Sequence, residues 1–230
     1  MHNSSSRVSR ELVVTLQGIL TVISGIILMK AGPEGSMEGL KSPFREMAAL
    51  FIRNWLWIAI VMGPALAILP LLLPKMSVPV LLIFLLSPAY MFHQIEEHWR
   101  DRFRLFVNQR VFGGVEALTP AAVFWINVPI VWGIDAGALI SAAFGRFELA
   151  LLAFYMMLVN AMVHTVGIFR FGYNPGLVTS VIIFIPLSCA GLVTSSQPLV
   201  THLIALGLAV IGHGLIFGYA LSRVLRLRRA

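Results

Sequence analysis

The residues His93-Gln94-Ile95-Glu96-Glu97 close an apolar run, Val78 to Phe92, that carries no charged side chain. A carboxylate at membrane depth is costly, so it pairs, binds an ion or takes part in chemistry. Here two carboxylates and a histidine arrive together. On a helix, positions three and four residues apart fall on one side. His93, Glu96 and Glu97 therefore share a face, and His98 lies off it and marks the interface.

Histidine nitrogen and carboxylate oxygen four residues apart form two jaws of a metal site, as in helical zinc motifs. The run resembles the H-x-x-E-H pattern of inverted zinc peptidases, with Glu97 in place of the last histidine. On this reading His93, Glu97 and His164 hold a divalent metal, zinc ahead of iron, and Glu96 activates a water as general base. Either glutamate could be the ligand, since both lie on the usable face. The same donor set would suit a non-haem iron oxidoreductase. A metal-free alternative remains, because paired glutamates followed by two distant histidines resemble the intramembrane prenyl-protein proteases. The order Glu96-Glu97, His164, His213 matches that family, but an arginine is displaced and Asn160 stands where it has an aromatic.

Other polar residues fall at a similar depth. At about 1.5 Å per residue, His93 lies roughly 10 Å inside the boundary marked by Arg100, and His164 roughly 9 Å inside that of Arg170. Asn160 is one turn before His164, and Asn127 and His213 stand on two further helices. Together they predict a supporting polar layer. Asp135 sits alone, nearer the other end of its helix. In Tyr173-Asn174-Pro175-Gly176, Asn174 suits a helix cap and Pro175 the first turn. Tyr173, Asn174 and Gly176 are thus candidates for holding an anionic headgroup at a helix N-terminus.

The elements that must position these groups are membrane helices. The 230 residues are 58% hydrophobic and 12% charged, against about 25% charged in a soluble domain. The composition predicts an all-α, polytopic transmembrane helix bundle forming one domain. Six apolar segments are long enough to span: Trp55–Leu73, Val78–His98, Pro120–Phe144, Leu149–Phe169, Gly176–Thr194 and Leu199–Leu221. Leu12–Met29 exceeds a signal-peptide core of about 7–15 residues and is followed by Lys30. It is read as a retained seventh span, with an interfacial helix as the alternative. The stretch 42–53, with Phe44, Met47 and Leu50 along one side, is expected on the membrane surface.

The net charge of +7 comes from basic residues beside apolar helices, which reads as topology and lipid contact rather than nucleic-acid binding. Lys30, Lys41, Arg45 and Arg53, then Arg100 to Arg110, then Arg170, then Arg223 to Arg229 alternate with loops offering only Lys75 and Arg146. The C-terminus and the basic loops are therefore expected in the cytoplasm. The single cysteine, Cys189, excludes an internal disulfide framework.

The runs His93–Glu97, Asn160–His164 and Tyr173–Leu177, in this order, resemble the bacterial integral membrane proteins named for their HXXEE motif. The resemblance covers the central third to half of the chain and implies site positions in a bacterial inner membrane, not a reaction. The expected function is a metal-dependent membrane enzyme hydrolysing a lipid-like or apolar substrate. A proton- or ion-coupled transporter is the alternative from another class. Membrane lipids are the expected partners.

Overall fold

A computed structural model describes residues 43–72 and 76–229 of the chain. The described residues form helices joined by short turns, with no strand among them. The segment Leu12–Met29 lies outside the described residues. Helix α1 is Pro43–Leu72, and α2 is Val78–His98. A tight turn, Trp99–Asp101, leads into the short α3, Arg102–Phe106. Then come α4 (Pro120–Ala143), α5 (Glu148–Phe171), α6 (Leu177–Val193) and α7 (Leu199–Leu227).

Among the described residues, five helical stretches are long and apolar enough to cross a membrane: Glu46–Leu72, Val78–Val111, Pro120–Ala143, Glu148–Phe171 and Leu199–Leu227. The predicted span Gly176–Thr194 is shorter, because its helix begins only at Leu177. At about 1.5 Å per residue it falls short of the roughly 30 Å hydrocarbon core. Residues 43–53 of the stretch expected on the membrane surface form the opening turns of α1 and are continuous with the following span.

The outward faces carry large apolar side chains such as Leu71, Phe144, Ile182, Leu203 and Val210, all exposed. Water would not tolerate such continuous apolar coverage, whereas lipid matches it. Inside, Ile83, Leu86, Ala89 and Tyr90 of α2 pack with Ala138 and Ala142 of α4. Ala150, Ala153, Phe154, Met157 and Ala161 of α5 and Phe184 of α6 complete this core. Small residues let helices approach closely where lipid offers no hydrophobic drive. Gly191 is the tightest case, since a Cβ there would meet the Phe154 ring at 2.3 Å.

Helices α4 and α6 each loosen into a wider π turn beside a proline. Ile126–Trp132 contains Pro129, and Ser180–Phe184 runs up to Pro186. Proline lacks the N–H that would bond the carbonyl four residues back, which frees the ladder locally. The two looser stretches carry Asn127 and Phe184 toward α2.

Polar contacts gather one set of helix ends together. Arg102 of α3 donates to the Tyr173 hydroxyl just after α5, at 3.0 Å. Arg104 is paired with Asp101, and Arg223 of α7 reaches Glu116, just before α4, at 2.9 Å. The C-terminal ends of α2, α5 and α7 and the start of α4 therefore share one side of the bundle, the side rich in arginine.

Candidate functional site

Near that side, the last turn of α2 meets α5 and the start of α6. His93 and Glu97 sit one turn apart on the buried face of α2, and His164 faces them from α5. Each is at most 4% exposed. His164 Nε2 lies 3.1 Å from Glu97 Oε1, and His93 Nε2 lies 3.5 Å from the same oxygen. One ligand atom from each of the three lies within 4.8 Å of the others, so the group has the composition and spacing to hold a metal ion. The two imidazoles meet edge to face, with ring centroids 5.0 Å apart.

Both rings are held from behind. Asn174 Oδ1 stands 2.7 Å from His164 Nδ1, while its amide nitrogen donates to the His164 carbonyl at 2.9 Å. Because the Asn174 oxygen only accepts, His164 carries a hydrogen on Nδ1. His93 Nδ1 lies 2.8 Å from the hydroxyl of Thr179. The Phe184 ring covers His93 at a centroid distance of 4.2 Å. A hydrogen-bonded Nδ1 with Nε2 facing inward is the usual support of a metal-ligating histidine.

Gly176 closes the site from the α6 side. Its φ of +98° is one that glycine adopts freely. A Cβ there would come within 2.7 Å of His164 Cε1, 2.8 Å of His93 Cε1 and 2.9 Å of Glu97 Cγ. Backbone thus lies directly against all three candidate ligands.

Residues 84–191 match the family model described as a protein of unknown function with HXXEE motif. This segment is therefore similar to the HXXEE family. The comparison with curated proteins found no match, and neither did the comparison with solved structures. The HXXEE segment contains every group described so far in the site, from His93 to Phe184, and leaves α1 and α7 outside it.

Within this HXXEE-like segment the two glutamates do different work. Glu96, expected to be the general base, points away from the trio. Its Oε1 accepts from the Val178 N–H and the Tyr173 hydroxyl, both at 3.1 Å. Its Oε2 accepts from the Thr179 N–H at 2.8 Å and the Thr179 hydroxyl at 2.6 Å. A carboxylate has about four acceptor positions, and all are filled, so nothing remains to take a proton from water. The same bonds correct the expected anion site. The N–H groups at the start of α6 are occupied by Glu96, and the helix begins at Leu177, not at a cap on Asn174. Asn174 is turned toward His164 instead.

The wider polar layer divides as well. Asn127 accepts a hydrogen bond from Gln94 at 3.1 Å, and Gln94 in turn accepts from Trp132 at 2.8 Å. That network binds α2 to α4 and does not join the trio. His213 is tied to its own helix through the Ala209 carbonyl at 2.9 Å and is outside the metal-competent group. Asn160 has its Oδ1 buried without a hydrogen-bond partner among the described residues.

Sequence reasoning missed Thr179 and underrated His98. His98 is buried, with Nε2 3.3 Å from Glu97 Oε2, between the rings of Trp55 and Phe103. Its position directly after Glu97 was the available signal. Thr179 had none, since its link to His93 spans 86 residues of sequence.

Proposed function

We propose that the protein is a membrane-embedded metal-dependent enzyme that hydrolyses an apolar or lipid-like substrate, with His93, Glu97 and His164 holding a divalent metal, Zn²⁺ by preference. One observation carries this reading. Two imidazole Nε2 atoms, each backed by a hydrogen bond at Nδ1, converge on a single carboxylate oxygen in a dry interior. With Nδ1 of each ring committed outward, both Nε2 atoms face Glu97 Oε1, and a cation seated there would be held by all three side chains. Nitrogen and oxygen donors in this proportion suit zinc.

Three protein ligands leave a coordination position open, as in catalytic rather than structural zinc sites. A bound metal would supply Lewis acidity and a water of lowered pKa. The protein's own part is to orient both imidazoles through Thr179 and Asn174 and to exclude bulk water with Phe184, Phe103 and the Gly176 backbone. The proton-accepting role expected of Glu96 passes to His98, whose Nε2 stands beside Glu97 Oε2. An apolar substrate is favoured by the setting, a centre walled by aromatic rings in a bundle whose outer faces suit lipid. The shared arginine-rich side supports a centre facing the cytoplasm, with the C-terminus on that side.

Elemental analysis of detergent-purified protein tests the metal: about one zinc per chain is expected, as for a site of this type, and none in His93→Ala. Incubating the loaded protein with a total lipid extract and following products by mass spectrometry tests the reaction. Metal without any His93-dependent product would remove the hydrolase and leave the site.

One observation favours a second reading, a proton-linked carrier. Asp135 of α4 is 1% exposed, and neither carboxylate oxygen has a hydrogen-bond partner among the described residues. Buried intramembrane carboxyls of this kind mark ion and proton pathways. Proton flux in liposomes that is lost in Asp135→Asn would move the function to this class.

A further inference from the structure

We propose that Glu96 sets the tautomer of His93 through the Thr179 hydroxyl, so that Glu96 and Thr179 are positioning residues for the centre rather than parts of its chemistry. The inference rests on reading His93 as a ligand of that centre. It gives the first glutamate of the motif a role that neither metal binding nor base catalysis provides.

Single hydrogens decide the direction of each bond. The Thr179 hydroxyl has one hydrogen to give and lies 2.6 Å from Glu96 Oε2. Glu96 is present as a carboxylate acceptor, because it also takes two backbone N–H groups and the Tyr173 hydroxyl. Tyr173 is committed to donating there, since its own oxygen accepts from the Arg102 guanidinium at 3.0 Å. The other oxygen on offer to Thr179 is the Gly176 carbonyl at 3.3 Å, a longer and neutral acceptor. The hydrogen therefore goes to Glu96, and Thr179 Oγ1 turns a lone pair toward His93 Nδ1 at 2.8 Å. His93 Nδ1 must then donate, and its second nitrogen, Nε2, keeps its lone pair facing Glu97.

The chain Arg102, Tyr173, Glu96, Thr179, His93 runs from an exposed arginine to a fully buried ring. It joins α3, the loop after α5, α2 and α6 in one connected series. Asn174 does the same for His164 in a single step, through a carbonyl oxygen that can only accept. Threonine can donate or accept, so it needs a carboxylate behind it to fix the direction. The motif's first glutamate answers that need.

The test uses full-length protein in detergent, labelled with ¹⁵N-histidine and kept metal-free, with His93 signals assigned by their loss in His93→Gln. Wild type and Thr179→Ser are expected to show His93 with its hydrogen on Nδ1. Thr179→Val and Glu96→Leu are expected to lose that single tautomer. Zn²⁺ titration should show affinity kept in Thr179→Ser and reduced about 10- to 100-fold in Thr179→Val, the usual effect of losing such a support. A His93 tautomer and a Zn²⁺ affinity both unchanged in Thr179→Val would overturn the proposal, as would equal losses in the serine and valine variants. Should wild type bind no Zn²⁺ while its tautomer still depends on Thr179, the metal reading falls and the relay stands.

Discussion

His164 Nε2 stands 3.1 Å from Glu97 Oε1, joining α5 to α2 at the same oxygen that His93 approaches. The contact separates the two adjacent glutamates, because Glu97 faces both histidines while Glu96 is consumed by α6. Metal content should follow the same division. His93→Ala, Glu97→Ala and His164→Ala are each expected to abolish bound zinc. Glu96→Gln is expected to retain it with lower affinity. Zinc lost from the Glu96 variant and kept by the Glu97 variant would reverse the assignment.

Gly176 gives a prediction about packing. Gly176→Ala forces a Cβ into contact with His93, His164 and Glu97 and places alanine at φ +98°. The left-handed conformation costs roughly 1–2 kcal/mol, and overpacking adds typically about 1–3 kcal/mol. A loss of about 2–5 kcal/mol is expected from these together, read as a lowered unfolding midpoint in detergent. Gly218→Ala is the control, since nothing lies within 4 Å of a Cβ there and the site is helical. It should leave the midpoint unchanged or raise it.

Asn174 is expected to act on the metal and not on the fold at large. Asn174→Ala removes the acceptor on His164 Nδ1 and the donor to the His164 carbonyl. Zinc affinity should fall about 10- to 100-fold. Asn174→Asp restores the acceptor and should recover most of that loss in a Zn²⁺ titration. An aspartate variant as weak as the alanine one would show that the backbone bond, and not the ring support, matters.

These residues show how far the sequence could be read. The membrane helices were legible because an apolar run of spanning length is hard to bury anywhere but in lipid. His93, Glu97 and His164 were legible because buried ligating groups at helical spacing on the same side of the membrane are costly to place without a use. The roles of Glu96, Asn174 and Gly176 were not. Helical spacing puts Glu96 on the same face as Glu97, and only the arrival of α6 decides which one caps a helix and which one meets histidine. Asn174 before Pro175 satisfies every local rule for a cap, yet a tertiary partner about two turns from the end of α5 outcompetes it. With no breaker between Arg53 and Trp55, the stretch read as interfacial runs on as helix into the following span.

Asp135 yields a prediction with the opposite sign. A buried carboxyl whose oxygens find no donor among the described residues costs about 1–3 kcal/mol relative to a shape-matched apolar side chain. Asp135→Val is therefore expected to raise the unfolding midpoint in detergent. A variant that is more stable but no longer functional would mark Asp135 as retained for function at the expense of stability. A lowered midpoint would show instead that the carboxyl has a partner in the folded protein, such as a buried water.

His98 separates catalysis from metal binding. Its ring lies against Glu97 Oε2 yet outside the trio that can share an ion, so its loss should leave the ligands in place. His98→Gln is expected to bind zinc as wild type does while turning over substrate about 10²- to 10⁴-fold more slowly, the usual contribution of a positioned proton-transfer group. Trp55 and Phe103 pack on the ring, so a control for packing is needed. His98→Phe supplies it by preserving the aromatic contacts without a nitrogen. If the phenylalanine variant stays fully active, His98 is a wall of the site and the proton must leave by Glu97 itself. If both variants bind zinc and both are slow, the nitrogen beside Glu97 is the group the reaction uses.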